Sequence, residues 1–159
     1  MVQRTQITIG CDPEYFLKKS GRFTAAEFTG CLGTKEKPVP LPRGGAVQVD
    51  GCALEFNIAP ARTAREFDLN IQNTLDDIRN VVSNDFEFVF QPSVQFSGTE
   101  WPKISEKSKM LGCDPDYDAY TQKAKTPPAG SGERPFRTAA GHIHVGFLKD
   151  ADPADLSHI

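Results

Sequence analysis

Two histidines spaced two residues apart are the most chemically suggestive feature of the sequence. His142 and His144 alternate with apolar residues in "HIHVGF", a pattern typical of a β-strand. Side chains at positions i and i+2 of a strand project from the same face, about 7 Å apart at the backbone. Both imidazoles can therefore converge on one ion or ligand. The alternative is a pair of hydrogen-bonded or solvent-exposed strand histidines.

Two glutamates lie in other strand-like segments. Glu55 sits in "ALEFNI", whose other face is apolar, and Glu14 follows Asp12 at the end of the first apolar run. Each glutamate alone can be explained as a solvent-facing residue. Taken together, three strands each carry a carboxylate or the histidine pair. This set of ligands suits Mg²⁺ or Mn²⁺ that is shared with a substrate phosphate, with imidazole as a supplementary ligand.

Motifs of several other chemistries are absent from the sequence. There is no GxxxxGK[ST], no GxGxxG after a strand, no protein-kinase motif and no GxSxG. A bound nucleotide would therefore be held by the metal and by scattered Arg and Lys. The four cysteines form no CxxC pair and are interpreted as small buried residues; they are Cys11, Cys31, Cys52 and Cys113.

The elements that would position these residues are mostly strands. Alternating apolar residues predict a strand over 5–18, interrupted at Pro13 because proline has no N–H to donate. Further strands are predicted at 22–26, 46–60, 86–91 and 137–147. The segment 46–60 is expected to be a hairpin that turns at Asp50-Gly51.

One long helix is predicted after the hairpin. Thr63 and Glu66 form a capping-box pattern, and an apolar stripe at spacings of three and four follows, made by Phe67, Ile71, Leu75, Ile78 and Val82. The helix is expected to cover one face of the sheet. Asp152-Pro153 resembles the start of a further helix. Residues 33–45 are predicted to be a loop, and 97–135 a long irregular excursion.

Length and composition indicate one soluble domain spanning 1–159. The net charge of −3 gives no basic excess, so nucleic acid is not an expected partner. No apolar stretch approaches the roughly 20 residues of a membrane helix, and the start lacks a signal-peptide pattern. The sequence therefore predicts a cytoplasmic protein that does not bind membranes.

Three segments in this order resemble one enzyme family: "ITIGCDPEYFLKK", "VDGCALEFNIAPA" and "RTAAGHIHVGF". They are similar to the phage-encoded carboxylate-amine ligases of type 2, amidoligases of the glutamine synthetase and glutamate-cysteine ligase fold superfamily. The resemblance covers nearly the whole chain. It implies an α+β fold, a mainly antiparallel sheet whose concave face holds Mg²⁺ and ATP and whose other face is covered by helices.

The resemblance also implies a reaction and its residues. ATP would phosphorylate a carboxylate, and an amine from an amino acid, peptide or protein would attack the acyl phosphate to form an amide. The metal ligands of the family are matched by Glu14, Glu55 and His142. Its catalytic positions are matched by Glu14, Glu55 and His144. His144 also matches a residue near the nucleotide phosphates, and Arg137, expected on the same strand, matches a weaker phosphate or substrate contact.

Superfamily members continue past the histidine strand into further elements, so the chain is expected to be a C-terminally truncated form of that fold. A C-terminal partner would then supply the missing arginines and a last metal carboxylate. A homo-oligomer is the other assembly expected for the chain. Two alternatives are a catalytically degenerate phage binding or structural module of the same fold and a metal-dependent phosphohydrolase.

A second copy of the first acidic motif raises the question of a repeat. "GCDPEY" at 10–15 and "GCDPDY" at 112–117 are nearly identical, but no other stretch repeats at that offset. We therefore assign the metal to Glu14. Asp114 and Asp116 are expected to belong to a loop over the substrate.

Overall fold

The computed structural model describes residues 7–110, 120–123 and 133–147, which form a mixed α+β fold of mostly antiparallel sheets with few helices. The strands are β1 (Ile7–Cys11), β2 (Glu14–Lys19), β3 (Arg22–Thr24), β4 (Val39–Pro40), β5 (Ala46–Asp50), β6 (Ala53–Asn57), β7 (Phe86–Val89), β8 (Ser93–Gln95), β9 (Phe136–Thr138) and β10 (Ile143–Phe147). The helices are α1 (Ala64–Val81) and the single-turn α2 (Glu106–Lys109), with 3₁₀ turns at Ala26–Thr29 and Trp101–Lys103.

β1 and β2 follow one path that is interrupted at Asp12-Pro13, as predicted. Backbone bonds from β6 and the residues after it continue across the interruption: Phe56 N donates to the Pro13 carbonyl at 3.2 Å, and Ile58 N to the Cys11 carbonyl at 3.3 Å. β2 then pairs antiparallel with β6, β3 and β7, while β1 pairs with β10. β1 and β2 thus connect the strands that carry the predicted site.

The helix α1 covers one face of this sheet. Its apolar stripe packs against a core made by strand residues such as Tyr15, Leu54 and Phe56. Thr63 is the N-cap as predicted, because its hydroxyl accepts from Glu66 N at 3.1 Å. The Glu66 carboxylate accepts from the backbone N–H one residue before the cap, at Arg62 (2.7 Å), rather than from the cap itself.

A second buried cluster lies on the opposite face of the sheet. Phe16 and Ala53 point away from α1 and pack with Val94, Phe96 and Ile104. The prediction of an irregular excursion from residue 97 is therefore wrong in its first part, because 101–103 and 106–109 are helical and Ile104 is buried. Half of this sheet face is covered, and the other half carries the acidic residues.

Several predicted strand boundaries differ from the structure. The hairpin β5–β6 turns at Gly51-Cys52, one residue later than predicted, since Asp50 still pairs with Ala53. The segment 137–147 is not one strand: β9 pairs with β8 and β10 with β1. Arg137 is therefore not on the histidine strand. A two-residue strand, Val39–Pro40, also lies in the predicted loop 33–45.

Burial supports some predictions and corrects others. Cys11, Cys31 and Cys52 are buried free thiols, as predicted. The apolar face of β10, in contrast, is open, because Ile143 and Val145 are 64% and 60% exposed. Within the described ranges, no helix combines the length and apolarity required to span a bilayer. The predictions on Cys113, Asp114, Asp116 and Asp152-Pro153 fall outside those ranges.

Candidate metal and substrate site

Three carboxylates converge on the sheet face opposite α1. Glu14 on β2 lies directly opposite Glu55 on β6, and Gln48 on β5 lies opposite Glu55 on its other side. Asp50 is two residues beyond Gln48 and shares its face. One oxygen from each of Glu14, Asp50 and Glu55 lies within 4.8 Å of the others, so three adjacent strands each contribute one oxygen ligand.

Burial makes the charged forms of Glu14 and Glu55 unfavourable. The pKa of Glu14 is raised above its ordinary value, chiefly by burial and also by Asp50, although a hydrogen bond from Ala140 N (2.9 Å) opposes the shift. The pKa of Glu55 is also raised, again chiefly by burial, against a 2.7 Å hydrogen bond from Gln48 Nε2. Burial and neighbouring carboxylates therefore both disfavour the ionised forms of Glu14 and Glu55.

Lys35 supplies part of the missing positive charge. Its ammonium lies 3.1 Å from Asp50 Oδ2, and its charge lowers the pKa of Glu14. Lys35 contributes one positive charge beside three carboxylates, whereas a divalent cation would contribute two.

Asp12 holds the two predicted histidines. Its carboxylate lies 3.3 Å from His142 Nδ1 and 3.0 Å from His144 Nε2, and it accepts from His142 N at 3.1 Å. A side chain at Gly10 of β1 would contact the Cβ of His144 of β10. The two strands therefore direct Asp12 and the histidines to the same side. Both imidazoles are 63% exposed.

The structure thus brings together part of the predicted set. Glu14 and Glu55 lie side by side, and Asp50 rather than His142 completes the only such trio among the described residues. His142 is next to the trio, since it lines the same pocket as Glu14 and its charge lowers the pKa of that carboxylate. His144 lies two residues after His142, on β10.

Sequence reasoning assigned Asp50 to a turn and overlooked it as a ligand. The signal was present: in the hairpin register, Asp50 shares a face with Gln48, which is paired with Glu55. Asp12 was noted beside Glu14, but its contact with both histidines depends on the β1–β10 pairing, which the sequence does not specify.

A pocket of about 250 Å³ adjoins the trio. Its lining residues include Glu14, Asp50, Arg137, Ala140 and His142. A second pocket of about 400 Å³ shares Asp50 and is lined by two lysines, Lys35 and Lys107, and by two further glutamates. The trio therefore stands between two pockets of mixed charge.

The donor set fits a hard divalent cation. Carboxylate oxygens are the ligands that Mg²⁺ and Mn²⁺ prefer, and Mg²⁺ usually takes only a few protein carboxylates together with water and substrate phosphate. Such an ion would balance negative charge on Glu14, Asp50 and Glu55. Comparisons with protein-family models, with curated proteins and with solved structures return no match to this chain.

Proposed function

We propose that the protein is a Mg²⁺-dependent (or Mn²⁺-dependent) carboxylate-amine ligase that uses ATP to form an amide bond. The observation that carries this proposal is the trio of carboxylates from β2, β5 and β6, two of which have raised pKa values because of burial. The reaction class comes from the resemblance of the three motifs to type 2 carboxylate-amine ligases. Use of cytosolic ATP is compatible with the cytoplasmic location that we propose.

Glu14, Asp50 and Glu55 would hold the cation, with His142 within reach at the edge of the site. When bound, it would neutralise charge on the phosphates and help to orient them. Gln48 fixes the Glu55 carboxylate, and the Ala140 N–H fixes that of Glu14. These two hydrogen bonds hold the ligands in place before the substrates bind.

We place the nucleotide on one side of the trio, in the larger pocket next to Asp50. Lys35 and Lys107 line this pocket together with two glutamates, and their ammonium groups are our candidates for contacts with phosphate oxygens. The imidazole of His144 is exposed on the same sheet face and is our candidate for a further phosphate contact. The carboxylate and amine substrates would then approach from the smaller pocket, which contains Arg137.

Hydroxylamine trapping tests this proposal. The full chain is incubated with ATP, Mg²⁺, hydroxylamine and each of the common amino acids, and ADP and hydroxamate are measured. A ligase that activates a carboxylate converts it to the hydroxamate, because hydroxylamine replaces the natural amine. We expect ADP and hydroxamate to appear in equal amounts, and only with Mg²⁺ or Mn²⁺.

Matched variants make the test specific to the trio. Glu55→Gln keeps the size and a hydrogen-bonding oxygen but removes a ligand charge, so we expect loss of hydroxamate formation. Glu87→Gln makes the same change at an exposed position of β7 and should leave hydroxamate formation intact. ADP release without hydroxamate for any carboxylate would favour a phosphohydrolase. No ADP release in the presence of normal Mg²⁺ binding would favour a non-catalytic module.

A further inference from the structure

The loop before β4 folds back onto β5, the strand that carries one member of the carboxylate trio. Val49 N donates to the Gly33 carbonyl at 3.0 Å, and a side chain at Gly33 would clash with backbone atoms of β5. Only glycine therefore lets the loop come this close to the strand. Thr34 and Lys37 then close a tight turn with two backbone hydrogen bonds of 3.1 Å. These bonds fix the backbone on both sides of Lys35.

This loop brings one ammonium group against the trio. Lys35 Nζ lies 3.1 Å from Asp50 Oδ2, and the two side chains are 35% and 20% exposed. The charge of Lys35 also acts beyond this pair. Burial raises the pKa of Glu14, and the positive charge of Lys35 is among the interactions that oppose this shift. Lys35 therefore gives the trio a positive partner from the chain itself.

A divalent cation at the trio would act on the same negative charge as Lys35. Such an ion binds through carboxylate oxygens, and an oxygen of Asp50 is already in contact with the ammonium group. The ion would also bring two positive charges next to the ammonium, and like charges at short range repel. The lysine head group is carried on a flexible four-carbon stem, so it can move away while the loop backbone stays in place.

We propose that Lys35 is a built-in competitor of the divalent cation, which holds Asp50 in the metal-free protein and is displaced when the ion binds. The contact reduces repulsion within the trio before the ion arrives, and it weakens the affinity of the trio for the ion. This inference rests on the metal site of the proposed function. It does not depend on the reaction that follows metal binding.

Titration with metal alone tests the competition. Mn²⁺ is added to the full chain without nucleotide, and binding is measured from the loss of the EPR signal of free Mn²⁺. Lys35→Gln removes the ammonium group, so we expect roughly threefold to fivefold tighter binding, as for the loss of a partly exposed ion pair. Lys35→Arg keeps the positive charge and should bind Mn²⁺ no more tightly than the wild type.

Lys37 provides a matched control in the same loop. Its side chain is exposed, and Lys37→Gln changes the net charge by the same amount as Lys35→Gln. Because solvent and salt screen an exposed charge that does not contact the trio, we expect Lys37→Gln to change the Mn²⁺ affinity by less than about twofold.

Chemical labelling of lysines reports on the displacement itself. The wild type is treated with a limiting amount of an amine-acetylating reagent, with EDTA or with saturating Mg²⁺, and the labelled lysines are identified by peptide mapping. An ammonium group that is held by a carboxylate reacts slowly. We therefore expect Mg²⁺ to speed the labelling of Lys35 by at least about twofold and to leave the labelling of Lys37 unchanged.

The outcomes separate this inference from the proposed function. Equal Mn²⁺ affinities of the wild type and Lys35→Gln, an equal gain in Lys37→Gln, or Lys35 labelling that Mg²⁺ does not speed would overturn the competition and leave the metal site in place. Tighter Mn²⁺ binding by Lys35→Gln in a protein that forms no hydroxamate supports the competition and overturns the ligase. If neither the wild type nor Lys35→Gln binds Mn²⁺, the trio is not a metal site and both proposals fail.

Discussion

Replacement of Glu55 by glutamine should have opposite effects on stability with and without metal. Glu14, Asp50 and Glu55 place three oxygen atoms within 4.8 Å of one another. In the metal-free protein near pH 7, the variant removes repulsion and should unfold at a higher temperature than the wild type. With saturating Mg²⁺ the order should reverse, because only the wild type retains all three ligands.

The size of both effects can be worked out. Two charges 4.8 Å apart repel by about 3.5 kcal/mol at an effective dielectric constant of 20. The groups are only half-buried, so solvent screening reduces the relief in Glu55→Gln to about 1 kcal/mol, or roughly 2–4 °C in Tm for a chain of this length. A ligand at one hundred times its Kd adds about 2.7 kcal/mol, which corresponds to roughly 5–11 °C.

The pH dependence has a defined sign. Burial raises the pKa of Glu14 and Glu55 in the folded protein above the ordinary value of 4.5. From 4.5 up to the raised values, the folded state binds more protons than the unfolded state, so stability contributed by these groups falls as the pH rises. Glu55→Gln should show a smaller fall through that window.

Thermal unfolding followed by circular dichroism, with EDTA or with Mg²⁺ and over pH 4 to 8, measures all three effects. Glu87→Gln is the control and should follow the wild type throughout. The electrostatic interpretation of the trio is refuted if the metal-free wild type is as stable as Glu55→Gln at pH 7. The ligand assignment is refuted if Mg²⁺ raises the Tm of both proteins equally.

Three further predictions concern the scaffold. Thr63→Ala removes the α1 N-cap and should cost about 1 kcal/mol in a urea titration, with Thr63→Ser close to the wild type. Cys52, whose pKa burial raises to about 11, should resist iodoacetamide at pH 8 in the folded protein and react in urea, as peptide mapping would show. The hydrogen bond from Arg43 (Nε to Oδ1, 2.8 Å) lowers the pKa of Asp77 below 3.8, so Asp77→Asn should lower the Tm at pH 7. This difference should disappear as the pH falls through that lowered pKa, because the wild-type carboxyl is then protonated too.

Local sequence patterns predicted the elements that are determined by interactions between residues close together in the chain. The helix after Thr63 follows from its cap and apolar stripe, and the break at Pro13 follows from the missing N–H. The division of 137–147 could not be predicted in the same way. Ala140 and His142 bond with the backbone of Glu14 and Asp12, more than 120 residues away in sequence, and these long-range bonds separate β9 from β10.

The candidate site shows the same division between local and long-range information. Glu14 and Glu55 could be selected from strand alternation, and their register then places them opposite each other. Asp50 was missed because it lies beside the hairpin turn and was interpreted as a turn residue. The environment of Arg137 depends on tertiary contacts with Trp101 and with the backbone of residue 109, which no spacing in the sequence encodes.

The position of Glu14 also has a consequence for motion. Glu14 begins β2, the strand paired along both edges and packed between the two cores, where Tyr15 and Leu17 are fully buried. The histidines belong to the segment around β10, which pairs only with β1 among the described strands and has an exposed outer face. Amide hydrogens of β2 should therefore exchange with solvent slowly and those of β10 quickly. A ligand held between Glu14 and His142 would therefore slow exchange mainly in β10 and leave exchange in β2 almost unchanged.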